Sequence, residues 1–347
     1  MGESSLISKA IDRGGAVYPL LIDSDQTQHL PLCNPSILEL EKDSKYLLNL
    51  RWIAYYLHHC EEEQKYQTPW GPLCYVRPDN DPVLRTENYV CDLDLESMQA
   101  VNPRKIDTRF FEEPTPWDFV GLEDVRLTAW NGNVYGSGVR RFAPDGKGRT
   151  QISKLDISKK IVTESERFFV ETPIDKESYC EKNWMPILDK PFQFVKWCCP
   201  TEVVQANVDN IPETSHAYGS FCSSSVINFV DNRFVDSSII NHNLPQKGGS
   251  QIVSYKNYYI AVTHESENWH NHKNDRDASY YHRFLVWDKK WNLIKATDRF
   301  KFMHGKIEFC CGMASYKDSF LITFGFQDNS AFLFKMPKVF FDEYVGI

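Results

Sequence analysis

No apolar run in this sequence approaches the roughly 20 residues a helix needs to cross a bilayer, so no membrane-spanning helix is expected. Basic charge is also scarce: 39 Lys and Arg stand against 47 Asp and Glu, a net charge of -8. A partner held by its phosphate backbone needs a basic face, which argues against nucleic acid as a main partner. A small cationic pocket for one anion is still allowed. The opening MGESSLISKAIDRGG lacks a basic stretch followed by an apolar run, so it does not read as a secretory leader. Leu6 stands where a myristoylation pattern wants Ser or Thr. A cytoplasmic location is expected. The ten cysteines contain no CxxC, and the vicinal pairs Cys198-Cys199 and Cys310-Cys311 sit in apolar segments. They read as buried thiols rather than metal ligands or disulfides. The stretch HESENWHNHKND holds His264, His270 and His272 at a spacing that matches no tetrahedral site, so it reads as a polar loop. Neither metal nor cofactor is expected.

Long helical periodicity is missing too; only PKVFFDEYV, near the end, suggests a helix. What is present instead is a repeated layout of alternating apolar residues, a short polar turn and a second strand. ILELEKDSKYLLNLR, VRLTAWNGNVYGSGVR, SSVINFVDNRFVDSS, QIVSYKNYYIAVTH and GMASYKDSFLITFGFQD all follow it. Their turn dipeptides (Lys-Asp, Asn-Gly, Asp-Asn, Lys-Asn and Lys-Asp) are those of β-hairpins. With 42% hydrophobic and 14% aromatic residues, the 347-residue chain is read as a packed, mostly β protein. At about four strands per blade, repeated hairpins over this length fit a β-propeller of about five blades. The expectation is one all-β domain over residues 1–347, a five-bladed β-propeller with a central pocket.

The second strands of these hairpins end in polar residues: Arg51, Arg140 with Arg141, His264, and Asp328 just beyond its strand. In a radial array such positions converge on the axis and would build one pocket from distant segments. GLEDVRL adds Glu123, Asp124 and Arg126 where a strand begins, and charge there is costly unless it is exposed or used.

The motifs NPSILELEKDSKYLLNLR, GLEDVRL, EKNWMPI, GGSQIVSYKNYYIAVTH and IEFCCGMASYKDSFLITFGFQD occur in that order. Together they resemble the five-bladed β-propellers of glycoside hydrolase family 130, the β-mannoside phosphorylases. The resemblance is closer to the related mannosyltransferase-phosphorylases, and it spans about residue 33 to about residue 335. It implies that Asp124 is the general acid. It also implies that Asn34, Ser36, Arg51, Glu123, Arg126 and Asp328 line the sugar site, and that Lys182 and His264 meet phosphate. The family's Arg upstream of the Lys motif is missing from FVETPIDKESYCEKNW, where Arg140 and Arg141 would have to compensate. Val125 replaces the Pro of the family's EDPR.

A phosphorylase needs one acid for the leaving oxygen and cations for phosphate; a hydrolase needs a second carboxylate for water. Asp124 with Arg51, Lys182 and His264 favours the first. An acid at Asp124 calls for a pKa raised by burial or by Glu123, with Arg126 opposing. The expected partners are therefore a sugar or oligosaccharide with phosphate or a sugar-phosphate, and the reaction is inverting mannosyl transfer or phosphorolysis. A water-using β-mannosidase with Glu265 or Glu308 as base is the alternative within enzymes; a non-catalytic glycan- or protein-binding propeller is the other. The Gly pair of PQKGGSQ could let backbone approach a ligand or simply form a turn. Trp70, Trp117, Trp184 and Trp269 could stack on a sugar or fill the core.

Overall fold

The computed structural model describes residues 5–59, 73–76, 83–111, 116–173, 180–210, 218–232, 246–270 and 276–347. Trp70 and His272 lie outside them, as do the side chains of Trp269 and His270 and the last six residues, 233–238, of SSVINFVDNRFVDSS.

Among the described residues most strands fall into five antiparallel stretches of four that follow one another along the chain, the first two joined in one sheet by a parallel pairing of Ile106 and Asp107 with Val162 and Thr163. The first comprises Leu32–Glu41, Lys45–Ile53, Leu84–Asp94 and Gln99–Asp107. The second comprises Glu123–Trp130, Asn133–Arg141, Gly148–Asp156 and Val162–Val170. The third comprises Met185–Pro186, Gln193–Cys198, Thr201–Ala206 and Ser224–Val230. In the fourth, an interrupted inner strand (Lys247–Gly248 and Val253–Tyr255) pairs with Tyr258–His270, followed by Arg276–Trp287 and Leu293–Ala296. The fifth runs Glu308–Tyr316, Ser319–Phe326 and Ser330–Pro337, and its outer strand comes from the other end of the chain, Ala16–Pro19. That last pairing ties the first strand of the chain to the last and closes the ring. This is the β-propeller that the hairpins lead one to expect.

The turns follow from local chemistry. Asn131 and Gly132 both take positive φ (50° and 76°), as a two-residue hairpin turn of matching twist requires. Asp43, Lys256 and Lys317 supply single left-handed residues in the other tight turns.

The strands are apolar on both faces, and the period of two explains why. Leu47 faces the second blade with Val125, Leu127 and Leu155, whereas Leu48 faces the fifth with Leu321 and Leu333. Trp130 and Tyr135 of the second blade meet Phe192 and Phe194 of the third. Val195 and Val203 meet Leu285 and Trp287. Phe284 and Val262 meet Phe320, Phe324 and Phe334. Each large apolar side chain buried in these interfaces contributes about 1.5 to 3 kcal/mol, against about 0 to 1 for an exposed ion pair, so the blade-to-blade clusters hold the ring.

Among the described residues three short α-helices decorate it. Lys338–Val345 is the helix suggested by PKVFFDEYV; Ser24–Thr27 is a single turn. Leu6–Ile11, capped by the Ser5 side chain, was not legible as a helix. It places Leu6, Ile7 and Ala10 against the cluster between the fourth and fifth blades, beside Phe340 and Phe341. No helix of the described residues is long and apolar enough to cross a membrane.

One polar residue sits at the middle of the ring. Gln251 is fully buried; its Nε2 donates to the carbonyls of Ile37 (2.8 Å) and Leu127 (2.9 Å), and its Oε1 accepts from the N–H of Met313 (2.9 Å). A fourth-blade side chain thus ties together the inner strands of the first, second and fifth blades.

Candidate active site

The inner strands of the first and second blades are both irregular where they begin. Register shifts leave Asn34-Pro35 and Asp124-Val125 bulged out of their ladders, and Asn34 and Asp124 have φ of +42° and +54°. Asn183, just before the inner strand of the third blade, has φ +65°, and Asp328, in the turn after Phe326, has φ +51°. Asn and Asp tolerate this left-handed region better than other side chains, so local residue choice and geometry agree. Each bulge turns a polar side chain towards the same place.

There the side chains meet. Asn34 Nδ2 donates to Asp124 Oδ1 at 2.8 Å and Arg51 Nη1 donates to the same oxygen at 2.8 Å. Arg51 Nη2 lies 3.4 Å from Glu123 Oε2 and donates to the Tyr55 hydroxyl at 3.2 Å, while Nε donates to Thr86 Oγ1 at 3.1 Å. The Asn34 amide also works to lower the pKa of the Asp328 carboxyl. Gly325 makes room for it, since a Cβ there would stand 2.1 Å from Asn34 Oδ1 and 2.7 Å from its backbone nitrogen.

Asp124 does not behave as the sequence led one to expect. Burial pushes its carboxyl up, but Arg51, Arg126, the Asn34 amide and Lys182 together pull it below the usual carboxylate range. The raised acid is Asp328, pushed to about 6 by burial, with Arg51 opposing and Asp124 and Glu123 reinforcing.

The cationic side is also rearranged. Lys182 is reached by solvent, yet its ammonium is closely surrounded; desolvation works against its charge, and Tyr280, Cys180, Asp124 and Glu123 more than restore it. Lys247, across the ladder from His264, has its pKa lowered by burial and by Lys182. His264 is not a cation: burial, then His282, Lys247, Lys182 and Arg126, hold it neutral, well below the ordinary histidine range. Its ring stacks on Tyr280 with centroids 5.5 Å apart and meets the Phe309 edge. Tyr280 feels Lys182, Asp328 and Asp124, so it belongs to the same cluster. Sequence reasoning missed Lys247 and Tyr280. Lys247 lies in the quoted PQKGGSQ, where the Gly pair drew the attention, and Tyr280 looks like any strand aromatic.

Several candidates serve the frame. Arg126 is almost fully buried; Nε donates to the Gly249 carbonyl and Nη1 to that of Asp124, both at 2.7 Å, so it clamps backbone beneath the cluster. Ser36 is fully buried and its Oγ accepts from the N–H of Leu127 at 3.3 Å, joining the first two blades. Arg141 donates to the Gly146 carbonyl (2.9 Å), lies over Phe119, and its charge reaches Cys180. Arg140 lines a cavity of about 330 Å³ between the first and second blades, with Asn88, Gln151 and Glu164. Both candidate bases for water are occupied. Glu265 is tied to Arg283 and Gln246, and Glu308 accepts from the N–H groups of Phe302, Met303 and Gly305. The Gly pair admits backbone rather than a ligand: a Cβ on Gly249 would lie 2.4 Å from the Val262 carbonyl oxygen of its own blade, and one on Gly248 2.0 Å from that of Asn183, beside the third. Trp184 is buried in the core and Trp117 packs over Gly146.

This arrangement brings two carboxylates of opposed protonation tendency together with ammonium groups and neutral donors. It is suited to handing a proton to one side of a bond while an anion is held nearby.

No protein-family model and no curated protein matches this chain. Solved structures do match over most of its length. A β-1,2-mannobiose phosphorylase from Listeria innocua superposes with a TM-score of 0.50 at 11% identity, covering 91% of this chain and 92% of that one. A mannose phosphorylase from Leishmania mexicana, in complex with phosphate ion, gives 0.51 at 10% identity, covering 96% and 92%. A structure described under the family 130 mannoside phosphorylases, which contain hydrolases of β-1,2-mannosidic linkages in Candida mannan, gives 0.52 at 12% identity, covering 89% and 85%. At such identities the likeness is one of fold, and it falls on the group of proteins that the sequence motifs resemble.

Proposed function

We propose that the chain is an enzyme that transfers a mannosyl unit between a sugar-phosphate or nucleotide-sugar donor, mannose-1-phosphate or GDP-mannose, and a sugar acceptor. The same site runs the reverse phosphorolysis of a β-mannoside, with inversion. The observation that carries this reading is one cluster: Asp124, held by Asn34 and Arg51, with Asp328, Lys182 and Lys247 around it. An inverting phosphorolysis needs a proton for the leaving oxygen and a seat for an anionic nucleophile on the far ring face. The carboxylate pair supplies the first. The two lysines, with the neutral His264 and the Tyr280 hydroxyl as donors, supply the second. Mannose comes from the neighbours: one is a mannobiose phosphorylase and another was solved with phosphate.

The water-using alternative is weakened because Glu265 and Glu308 are bound up in the frame. A purely binding propeller would have no need of several charged groups pressed together, two of them, Asp124 and Asp328, at left-handed positions.

The test is incubation with mannose-1-phosphate and with GDP-mannose over a panel of sugar acceptors, followed by product analysis, and incubation of β-mannosides with and without phosphate. Mannosylated acceptor, or mannose-1-phosphate formed only when phosphate is present, is expected. Free mannose released at equal rates with and without phosphate would move the assignment to a hydrolase.

A further inference from the structure

We propose that the cavity between the first and second blades is a second binding site, made for a neutral pyranose sugar and separate from the axial cluster. The inference stands on the walls of the cavity and does not rest on the reaction proposed above.

The cavity follows from the side chains that the two blades present to each other. Four of the blade-to-blade clusters are filled in part by aromatic rings, such as Tyr46, Trp130, Trp287 and Phe284. The cluster between the first and second blades has only aliphatic side chains, among them Ile106, Leu122, Val125 and Leu155. Gly136 widens the gap: it lies on the wall, and a Cβ there would stand 3.0 Å from Val125 Cγ1. A space of about 330 Å³ results. That is within the roughly 300 to 1,000 Å³ of small-ligand sites.

The second-blade wall carries a buried polar cluster. Gln151 Nε2 donates to Ser153 Oγ at 2.7 Å and to Glu164 Oε1 at 3.0 Å, and Ser153 Oγ donates to the same carboxylate oxygen at 2.7 Å. Arg167 Nε holds that oxygen too, at 2.9 Å. Gln151 is fully buried, and its Oε1 has no hydrogen-bond partner among the described residues. A buried amide oxygen is costly to leave unmatched, and a ligand hydroxyl is a donor that satisfies it without bringing charge.

Charge excludes an ionic ligand. The lining holds three acids, Glu87, Asp107 and Glu164, and three bases, Lys105, Arg109 and Arg140, so its formal charges cancel. Lys105 pairs with Glu87 at 2.6 Å and Arg109 with Asp107 at 2.7 Å, while Glu164 is held by Arg167. An anion or a cation therefore finds no surplus of opposite sign. What the walls offer is an aliphatic surface facing a buried acceptor. A pyranose matches both, with an apolar ring face and hydroxyl groups at its edge.

None of Asn34, Arg51, Asp124, Lys182 and Asp328 lines the cavity. It borders on their cluster through two of its wall residues. Thr86 Oγ1 accepts from Arg51 Nε at 3.1 Å, and Asn88 Nδ2 donates to the carbonyl of Leu122, two residues before Asp124, at 2.8 Å.

Diffraction from wild-type crystals grown with D-mannose, D-glucose or D-galactose, and calorimetric titration with the same sugars, test the proposal. At least one of the three should lie between the first two blades with a hydroxyl on Gln151 Oε1. Its titration should weaken by about 10-fold in Gln151→Leu, which removes the acceptor. Gly136→Ala, which adds a methyl group inside the cavity, should also weaken it, and circular dichroism would establish that each variant is folded. Sugar found only at the axis, or titrations equal to wild type in both variants, overturns the second site. A sugar-phosphate that occupies the cavity in preference to the uncharged sugar overturns the neutral class.

Discussion

Arg51 Nη1 and Asp124 Oδ1 lie 2.8 Å apart, although the residues are separated by 73 positions and belong to different blades. Arg51 is the only side chain that also reaches Glu123 within ion-pair distance among the described residues, so one guanidinium holds the acidic motif of the second blade to the first. A lysine keeps the charge but cannot reproduce the fork. Arg51→Lys is therefore expected to destabilise the fold by about 3 kcal/mol, the order of magnitude for breaking a buried, hydrogen-bonded ion pair. Urea unfolding would measure it; an unchanged midpoint would mean the pair is structurally idle.

The pH dependence of stability should report on Asp328. Its folded pKa, about 6, lies above the ordinary aspartate value of 3.8. Its contribution to stability is therefore fully present below the unfolded value and is lost as pH rises through about 6. Asp328→Asn removes this titration, so the variant should gain on wild type as pH rises, by about 1 to 3 kcal/mol at pH 8. Thermal unfolding at pH 4 and pH 8 would decide; a variant equally destabilised at both would contradict the raised acid.

Lysine chemistry separates anion from sugar. Lys182→Ala and Lys247→Ala should each weaken binding of inorganic phosphate by roughly 10- to 100-fold, the range of a charge-assisted contact. Binding of mannose should change much less. His264→Asn should leave the salt dependence of phosphate binding unaltered, because His264 is already neutral. Calorimetric titrations read all three, and wild-type phosphate affinity in Lys247→Ala would remove that residue from the anion site.

The axial glutamine predicts a purely structural effect. Gln251→Leu fills the space but abandons one backbone N–H and two backbone carbonyls in the middle of the ring. Each buried group left unpaired costs about 1 to 3 kcal/mol, so the loss should total several kcal/mol and show as early chemical unfolding. Circular dichroism against denaturant would test it, and a near-neutral outcome would show that the inner strands find other partners.

The sequence by itself determined the propeller. Alternating apolar residues and hairpin dipeptides are local signals, and KYLLNLRWI, apolar on both faces, already implies a sheet covered on both sides. It also pointed to segments that meet, because Arg51, His264 and Asp328 stand at the ends of second strands, while Asp124 stands where a first strand begins. Only the tertiary structure decided what each group does there. Ser36 and Arg126 lie two residues beyond Asn34 and Asp124, on inner strands that are buried between blades, and so serve the frame. Lys247 and Tyr280 carry no local mark and join the cluster through strand pairing alone. Protonation is the clearest case. Whether Asp124 or Asp328 keeps a proton depends on burial and on charges from several blades: at Asp124, Arg51, Arg126, the Asn34 amide and Lys182 together overcome burial, and three of these four lie outside the letters EDVR.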